Sequence, residues 1–346
     1  MKNPTETRTP PELQPVADAV AAVGQLRSQL ARAIVGQGRV VDLALTALLC
    51  EGHVLFEGVP GLGKTLLVRS LAQTLSLTFS RVQFTPDLMP ADVVGSTVIV
   101  QDGVQNYALK FEPGPVFAHL VLADEINRAS PKTQSALLEA MQERAVTIRG
   151  QRYELPRPFQ VLATQNPLEM EGTYPLPEAQ VDRFFFKVLV GHPQLDDLVA
   201  IVERTSGAEV PGPEPCLDGV RLKLLQRAVR DVEVPSPVTE FAARIVLATQ
   251  PGNEGAPDEV RRWVRYGSGP RGAQTLVLAA KARALLDGRF FAGLDDVEAL
   301  VEPALGHRLA LNFDGQSQGI SVETLLAAVV GAVRKTKDWP RVLRKD

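Results

Sequence analysis

Short apolar segments alternate with longer stretches of helical periodicity through the first half of the chain. Buried strands of a parallel sheet are apolar on both faces, and they alternate with the helices that cover those faces. The pattern therefore predicts an α/β domain with three layers, in which a parallel sheet lies between two layers of helices. The five predicted strands are residues 53–57, 81–84, 119–123, 159–163 and 184–190.

The strand-like segments largely stop after residue 190, where Gly191, His192 and Pro193 interrupt the pattern. Helical periodicity then dominates. We therefore predict an α/β domain over residues 18–192 and a helical domain over residues 193–346, preceded by a disordered tail at residues 1–17. The predicted helices of the second domain include residues 195–202, 220–229, 238–248, 273–286 and 322–333.

Two β-hairpins are predicted inside the first domain. Residues 97–100 and 104–111 flank the turn Gln101-Asp102-Gly103, and residues 145–148 and 151–155 flank Arg149-Gly150. Asp-Gly is a strong hairpin signal because glycine accepts the backbone conformation of a tight turn. Each hairpin is either a plain surface excursion or a projection towards a partner or a pore.

Composition excludes a disordered or fibrous chain, because 45% of the 346 residues are hydrophobic and 22% are charged. The 37 Lys and Arg residues face 40 Asp and Glu residues, which gives a net charge of −3. Sequence-independent binding of DNA requires a surplus of cations, so this balance argues against it. Charge is spread evenly and does not mark the domain boundary.

The two cysteines, Cys50 and Cys216, are too few to staple a chain of this length, and they form no C-x-x-C pair for zinc. Neither a membrane span of about 18 continuous apolar residues nor a signal peptide is predicted, since the first 15 residues are rich in Pro and polar residues. We therefore expect a reducing compartment and a cytoplasmic location.

Residues 58–65 (GVPGLGKT) match the phosphate-binding pattern G-x-x-x-x-G-K-[ST]. The segment follows an apolar strand and opens a helical stretch, which is the context that the pattern requires. Glycines allow backbone N–H groups to approach phosphate, the lysine adds a positive charge, and the threonine hydroxyl binds Mg²⁺. The predicted nucleotide-binding residues are Gly58, Pro60, Gly61, Leu62, Gly63, Lys64 and Thr65.

Two acidic residues, Asp124 and Glu125, follow the apolar segment 119–123. In a nucleotide site, Asp124 would hold Mg²⁺, and Glu125 would polarise the water that attacks the γ-phosphate. The alternative is an acidic N-cap of a following helix. Asn166 ends another apolar segment in the same way, and it would either orient the attacking water or cap the strand.

Longer motifs around these residues resemble the MoxR family of AAA+ ATPases. The most specific are residues 124–129 (DEINRA) and 165–184 (QNPLEMEGTYPLPEAQVDRF). The resemblance extends over about residues 26–312 and also includes residues 34–37 (IVGQ) and 266–271 (YGSGPR). It implies an AAA+ core with a five-stranded parallel sheet, followed by an all-helical lid.

The resemblance also implies roles for individual residues. Asn166 matches the first sensor of the family, and Arg183 matches the arginine finger that reaches a neighbouring subunit's nucleotide. The alternative for Arg183 is an ordinary ion pair with a nearby acid. Arg271 matches the second sensor, acting either in its own subunit or in the neighbour. Val35 and Gly36 match the segment that flanks adenine.

The family resemblance further places the first hairpin in a helix-2 insertion and the second before the first sensor. It implies a ring, hexameric by family analogy, that hydrolyses ATP with Mg²⁺ to remodel, mature or activate a protein complex. A partner with a von Willebrand factor A domain is implied as well. The alternatives are a nucleic-acid motor related to MCM proteins, and a scaffold that binds ATP and hydrolyses it slowly.

Overall fold

The computed structural model describes residues 14–59, 61–101, 107–167, 172–206 and 212–336. The strands of these residues are β1 (Val54–Glu57), β2 (Phe79–Gln83), β3 (Gly95–Gln101), β4 (Tyr107–Pro113), β5 (Leu120–Asp124), β6 (Ala145–Ile148), β7 (Gln151–Glu154), β8 (Gln160–Gln165), β9 (Phe186–Leu189), β10 (Val264–Tyr266) and β11 (Ala310–Leu311). The helices are α1 (Gln14–Ala31), α2 (Gly38–Leu49), α3 (Lys64–Thr74), α4 (Pro90–Val94), α5 (Pro131–Glu143), α6 (Glu178–Val181), α7 (Leu195–Ser206), α8 (Gly219–Asp231), α9 (Ser236–Ala248), α10 (Asp258–Trp263), α11 (Pro270–Leu286), α12 (Leu294–Ala299), α13 (Val301–Leu305), α14 (Phe313–Ser317) and α15 (Val322–Lys335).

The five predicted strands form one parallel sheet in the order β2-β5-β8-β1-β9. Successive side chains of a strand point to opposite faces, and here both faces are buried. In β1, Leu55 belongs to the core cluster that contains α5, whereas Val54 and Phe56 belong to the cluster that contains α2, α3 and the helices after β9. The three-layer α/β prediction is confirmed.

The carboxyl ends of all five strands lie at the same edge of the sheet, because the strands are parallel. Strand β8 pairs with β5 on one side and with β1 on the other. The polar residues that follow these three strands are therefore neighbours, although they are far apart in the chain. This edge of the sheet is where ligands of open α/β sheets bind.

His53 precedes β1 and is buried between the sheet and α5. Its Nε2–H donates to the backbone oxygen of Met141 at 3.1 Å, and its Nδ1 accepts from the N–H of Val161 at 2.9 Å. Both ring nitrogens are thus used by the neutral imidazole, and burial lowers the pKa of His53 to about 4. The histidine has a structural role at the start of the strand.

We expect acid to destabilise the protein through His53. The unfolded chain protonates this ring near pH 6.5 and the folded chain only near pH 4, so stability is lost as the pH falls between these values. A shift of this size corresponds to about 3 kcal/mol of unfolding free energy. Denaturant titrations at pH 7 and pH 4.5 should show a weaker pH dependence for His53→Gln than for the wild type. Equal pH dependence of the two proteins would contradict the assignment.

Two antiparallel hairpins extend from the core, as predicted. Strands β3 and β4 form the first, and β6 and β7 form the second around the turn at Arg149 and Gly150. Of the predicted first turn, Asp102 and Gly103 lie outside the described residues. Phe111 of β4 stacks on Tyr153 of β7 with ring centroids 4.0 Å apart, so the two hairpins support each other.

The region after β9 is mainly helical, and the five helices predicted there are present as α7, α8, α9, α11 and α15. It is not all-helical, however, because β10 and β11 pair as a small antiparallel sheet. These strands have three and two residues, too few to produce a readable alternation in the sequence. The helical region packs directly on the core, where Gln226 of α8 donates to the backbone oxygen of Leu48 in α2 at 2.9 Å.

Helix α1 begins at Gln14, so residues 14–17 are helical and not part of a disordered tail. Its buried positions Ala19, Val23, Leu26 and Leu30 follow helical spacing and join the large core cluster. The helix packs against α3 of the core and against α8 and α11 of the helical region. Among the described residues, we find no helix with the length and hydropathy needed to cross a membrane.

Candidate nucleotide-binding site

The glycine-rich loop lies between β1 and α3 at the carboxyl edge of the sheet. Gly61 and Gly63 have φ angles of +84° and +76°, which favour glycine, and Gly63 is the N-cap of α3. No described atom lies within 4 Å of the position that a Cβ would take at either glycine. The loop is therefore open on one side, with the N-terminus of α3 directed into the opening. Pro60, also predicted to bind nucleotide, lies outside the described residues.

Lys64 begins α3, and its Nζ donates to the backbone oxygen of Gly58 at 2.6 Å, across the loop. Partial burial lowers the pKa of Lys64, and the carboxylates of Asp124 and Glu125 oppose this effect. The ammonium group and the two predicted acidic residues therefore share one electrostatic environment. Thr65 follows Lys64 in the first turn of α3.

Asp124 ends β5, and both of its carboxylate oxygens accept hydrogen bonds. Oδ1 accepts from the hydroxyl of Thr164 at 2.6 Å, and Oδ2 accepts from the Arg81 guanidinium at 2.7 Å. Thr164 lies on the neighbouring strand β8, and its hydroxyl oxygen also accepts from the backbone N–H of Glu125 at 2.8 Å. Thr164 thus orients both acidic residues.

Glu125 has a left-handed backbone, with φ of +56°, where the chain turns sharply after the strand. Its Oε2 accepts from Gln83 Nε2 at 2.7 Å and from Arg128 at 2.9 Å. Although Glu125 precedes a short 3₁₀ turn over Ile126–Arg128, its side chain does not cap that turn. The capping alternative is therefore wrong for Glu125, whose carboxylate is directed towards β2.

Asn166 follows β8 and is buried, between the acidic residues on the β5 side and the glycine-rich loop on the β1 side. Its backbone oxygen accepts from Asn127 Nδ2 at 3.3 Å.

Sequence reasoning did not identify Arg81, Gln83 or Thr164 as part of this site. The sequence indicates only that each of these residues lies at or near the carboxyl end of a predicted strand. It does not show which strands are neighbours, so it could not place these residues together.

A mostly apolar cavity of about 500 Å³ adjoins the loop. Val35, Leu62 and residues of α7 such as Leu198 line it, which suits the faces of a flat aromatic ring such as a purine base. Gln37 Nε2 donates to the backbone oxygen of Leu62 at 2.9 Å and joins the 33–37 segment to the glycine-rich loop. Gly36 has a φ of +71° and lies against the Asp197 side chain of α7, where a Cβ would clash.

Arg183 and Arg271 lie together, away from the glycine-rich loop and the apolar cavity beside it. Both line a cleft of about 880 Å³ between the core and the helical region, which we term the arginine cleft. Its lining residues include the cations Arg144, Arg183, Arg230, Arg271, Lys281 and Arg308 and the acid Glu51. Neither Lys64 nor Asp124 lines this cleft. The structure thus brings Lys64, Asp124, Glu125 and Asn166 to one edge of the sheet, and Arg183 and Arg271 to another surface.

The side chain of Arg183 donates to the backbone oxygen of Leu138 in α5 at 3.0 Å. The acids that sequence reasoning offered as its ion-pair partners are bound to other cations. Asp182 pairs with Arg271 at 2.5 Å, and Glu178 pairs with Arg265 at 3.2 Å. Within the described part of the chain, Arg183 makes no ion pair, so the ion-pair alternative is not supported.

The amino-acid sequence is similar to those of known proteins. Residues 53–186 match the ATPase family associated with various cellular activities (AAA), and residues 259–328 match the AAA lid domain. Chaperone MoxR1 of Mycobacterium tuberculosis is 41% identical over 331 residues, covering 96% of this chain and 87% of that protein. Protein MoxR of Methylorubrum extorquens is 31% identical, covering 84% of this chain and 88% of that protein. The chain belongs to the MoxR family of AAA+ ATPases.

The similarity to other chains extends to the tertiary structure. A crystal structure of a protein from Cytophaga hutchinsonii superposes with a TM-score of 0.87 at 33% identity, covering 94% of this chain and 97% of that one. The first family match contains the glycine-rich loop and residues 124–125, and the second contains Arg271. This MoxR chain therefore has an AAA+ core and lid, arranged as in the Cytophaga hutchinsonii structure.

Proposed function

We propose that this chain binds ATP with Mg²⁺ at the carboxyl edge of its sheet and hydrolyses it to ADP and phosphate. The observation that supports this proposal is the convergence of Lys64, Asp124, Glu125 and Asn166 around the open glycine-rich loop. The backbone N–H groups of residues 61–63 and the Lys64 ammonium group bind the phosphates. The adjoining apolar cavity, which Val35 and Leu62 line, holds the base, and Gly36 shapes the segment beside it.

The donor set fits Mg²⁺, which prefers oxygen ligands and keeps several of its waters. Thr65 would offer its hydroxyl, and Asp124, oriented by Thr164, would offer carboxylate oxygen. When bound, the ion would offset the negative charge of the phosphates.

Glu125 is the group that activates water. Its carboxylate accepts a proton from a water molecule as the water oxygen attacks the γ-phosphorus, and the bond from that phosphorus to the bridging oxygen of ADP breaks. Gln83 and Arg128 orient the carboxylate by donating to its Oε2. Asn166 orients the water through its amide group.

Arg183 and Arg271 contribute to the site of a neighbouring copy. They lie together in the arginine cleft, away from the glycine-rich loop of their own chain, which favours action between subunits for both. A planar guanidinium suits the charge that develops on the γ-phosphate during transfer. The assembly we propose is a homo-oligomeric ring, because a repeated head-to-tail contact whose rotation closes generates a ring. The number of six copies follows the family resemblance.

The work of the ring is to remodel, mature or activate a protein complex, in the manner of a chaperone. The family relationship supports this output, together with the name chaperone that MoxR1 of Mycobacterium tuberculosis has. The net charge of −3 favours a protein client over a nucleic acid. A partner with a von Willebrand factor A domain belongs to the same proposal.

The binding step is tested with Lys64→Gln, which removes the charge and retains most of the side chain. A hydrogen bond to a charged group contributes about 1.5–3 kcal/mol, so ATP affinity should fall about tenfold or more. Calorimetric titration with ATP and Mg²⁺ measures the change, and Lys132→Gln on the exposed start of α5 is the control. Unchanged affinity in Lys64→Gln, or no binding by the wild type, would overturn the proposed site.

A further inference from the structure

Arg308 of the lid is buried, and its guanidinium donates hydrogen bonds to the backbone on both sides of Arg183. Its Nε donates to Asp182 Oδ1 at 2.8 Å, and one terminal nitrogen donates to the backbone oxygens of Asp182 at 3.1 Å and Phe184 at 2.9 Å. The other terminal nitrogen donates to the backbone oxygen of Phe185 at 3.4 Å and to that of Ala304. One guanidinium thus binds residues 182, 184 and 185.

Burial of a guanidinium is costly unless its donors are satisfied. Desolvation lowers the pKa of Arg308, and the carboxylate of Asp182 opposes this effect. Because the fork of donors is planar and rigid, it fixes the relative positions of the groups it binds more tightly than a lysine would. His307 adds a further contact, since its Nε2 lies 3.1 Å from the same Phe184 oxygen.

The carboxylate of Asp182 connects two lid arginines. Its Oδ1 accepts from Arg308, and its Oδ2 accepts from Arg271 at 2.5 Å. The residue next in the chain is Arg183, whose own side chain donates to the backbone oxygen of Leu138 in α5 at 3.0 Å. The lid therefore holds the backbone on both sides of Arg183, while the Arg183 side chain lines the arginine cleft.

We propose that Arg308 is a positioning residue for Arg183. It connects the lid to the segment that presents Arg183, so its loss impairs hydrolysis in the neighbouring copy and leaves the nucleotide site of its own copy intact. This inference rests on the proposed function, in which Arg183 acts between subunits.

The test uses mixtures of variant subunits. Alone, Arg308→Gln should lose at least tenfold in ATP turnover, with a KM for ATP within about twofold of the wild type. Glu125→Gln subunits have an inactive site and an intact Arg183 segment. Mixed rings of the two variants should therefore regain turnover several-fold above the sum of the separate proteins, because each Arg308→Gln site can receive Arg183 from a Glu125→Gln neighbour.

Two further mixtures separate this inference from the proposed function. Arg183→Ala mixed with Glu125→Gln should also regain turnover, and if it does not, action between subunits fails. Arg308→Gln mixed with Arg183→Ala should stay inactive, because both variants lack the same contribution. Recovery with Arg183→Ala and none with Arg308→Gln would overturn the role of Arg308, as would wild-type turnover of Arg308→Gln alone.

The matched control is Arg289→Gln, which removes another lid arginine that is bound to a buried aspartate, Asp296. This pair lies away from residues 182–185, so turnover should stay near that of the wild type. Arg308→Lys keeps a cation beside Asp182 and loses the fork, and its turnover should lie between those of Arg308→Gln and the wild type. If Arg308→Gln does not fold, Arg308→Lys replaces it in the mixtures with the same deciding outcomes.

Discussion

Glu125→Gln should bind ATP with nearly wild-type affinity and hydrolyse it at least about 100-fold more slowly. A general base contributes about 10²- to 10⁴-fold to a rate, and the amide cannot accept the proton of the attacking water. The amide keeps the size of the carboxylate and can still contact Gln83 and Arg128. Steady-state phosphate release and calorimetric ATP binding, measured on the same preparation, provide the two quantities.

Glu259→Gln is the control for this substitution, because Glu259 lies exposed on α10 of the lid. It should leave both turnover and affinity unchanged. If Glu125→Gln hydrolyses ATP at the wild-type rate, Glu125 is not the base. If it loses ATP affinity to the same degree as turnover, its role lies in binding.

Arg183→Ala should reduce turnover by about 10³-fold or more, which is the contribution typical of an arginine finger. ATP affinity should change little, because the side chain is not part of its own chain's nucleotide site. The specific activity of the wild type should also rise with protein concentration, since an isolated copy lacks the neighbour that supplies Arg183. Turnover measured across dilution, together with the mass of the assembly by light scattering, tests both statements.

Arg227→Ala is a suitable control, because Arg227 lies exposed on α8 and outside the arginine cleft. A wild-type specific activity that stays constant far below the concentration of assembly would contradict action between subunits. Full turnover of Arg183→Ala would remove this residue from the mechanism.

Most of the core follows from local patterns. The five strands could be predicted because strands buried on both faces have continuous apolar segments, as in Leu120–Asp124. The glycine-rich loop could be predicted because its chemistry is contained in eight consecutive residues. The short strands β10 and β11 were missed, since two or three residues provide no periodicity and depend on pairing across the lid.

The candidate site was predictable only in its separate parts. Asp124, Glu125 and Asn166 were recognised as polar residues that end buried strands, but periodicity does not state that β8 lies between β5 and β1. That strand order brings Thr164 against both acidic residues and Gln83 against Glu125. Such supporting contacts have no local signature, because each partner is an ordinary polar residue on its own strand.

The amino-acid sequence by itself determined the three-layer core, the helical second half, the glycine-rich phosphate-binding motif and the family resemblance, because each depends on residues close together in the chain. Only the tertiary structure decided that Arg183 and Arg271 share a cleft apart from the glycine-rich loop, and that α7 completes the apolar cavity beside it. It also decided that Arg308 binds Asp182, 126 positions away. Contacts over such separations arise from the packing of the lid on the core, which no local pattern specifies.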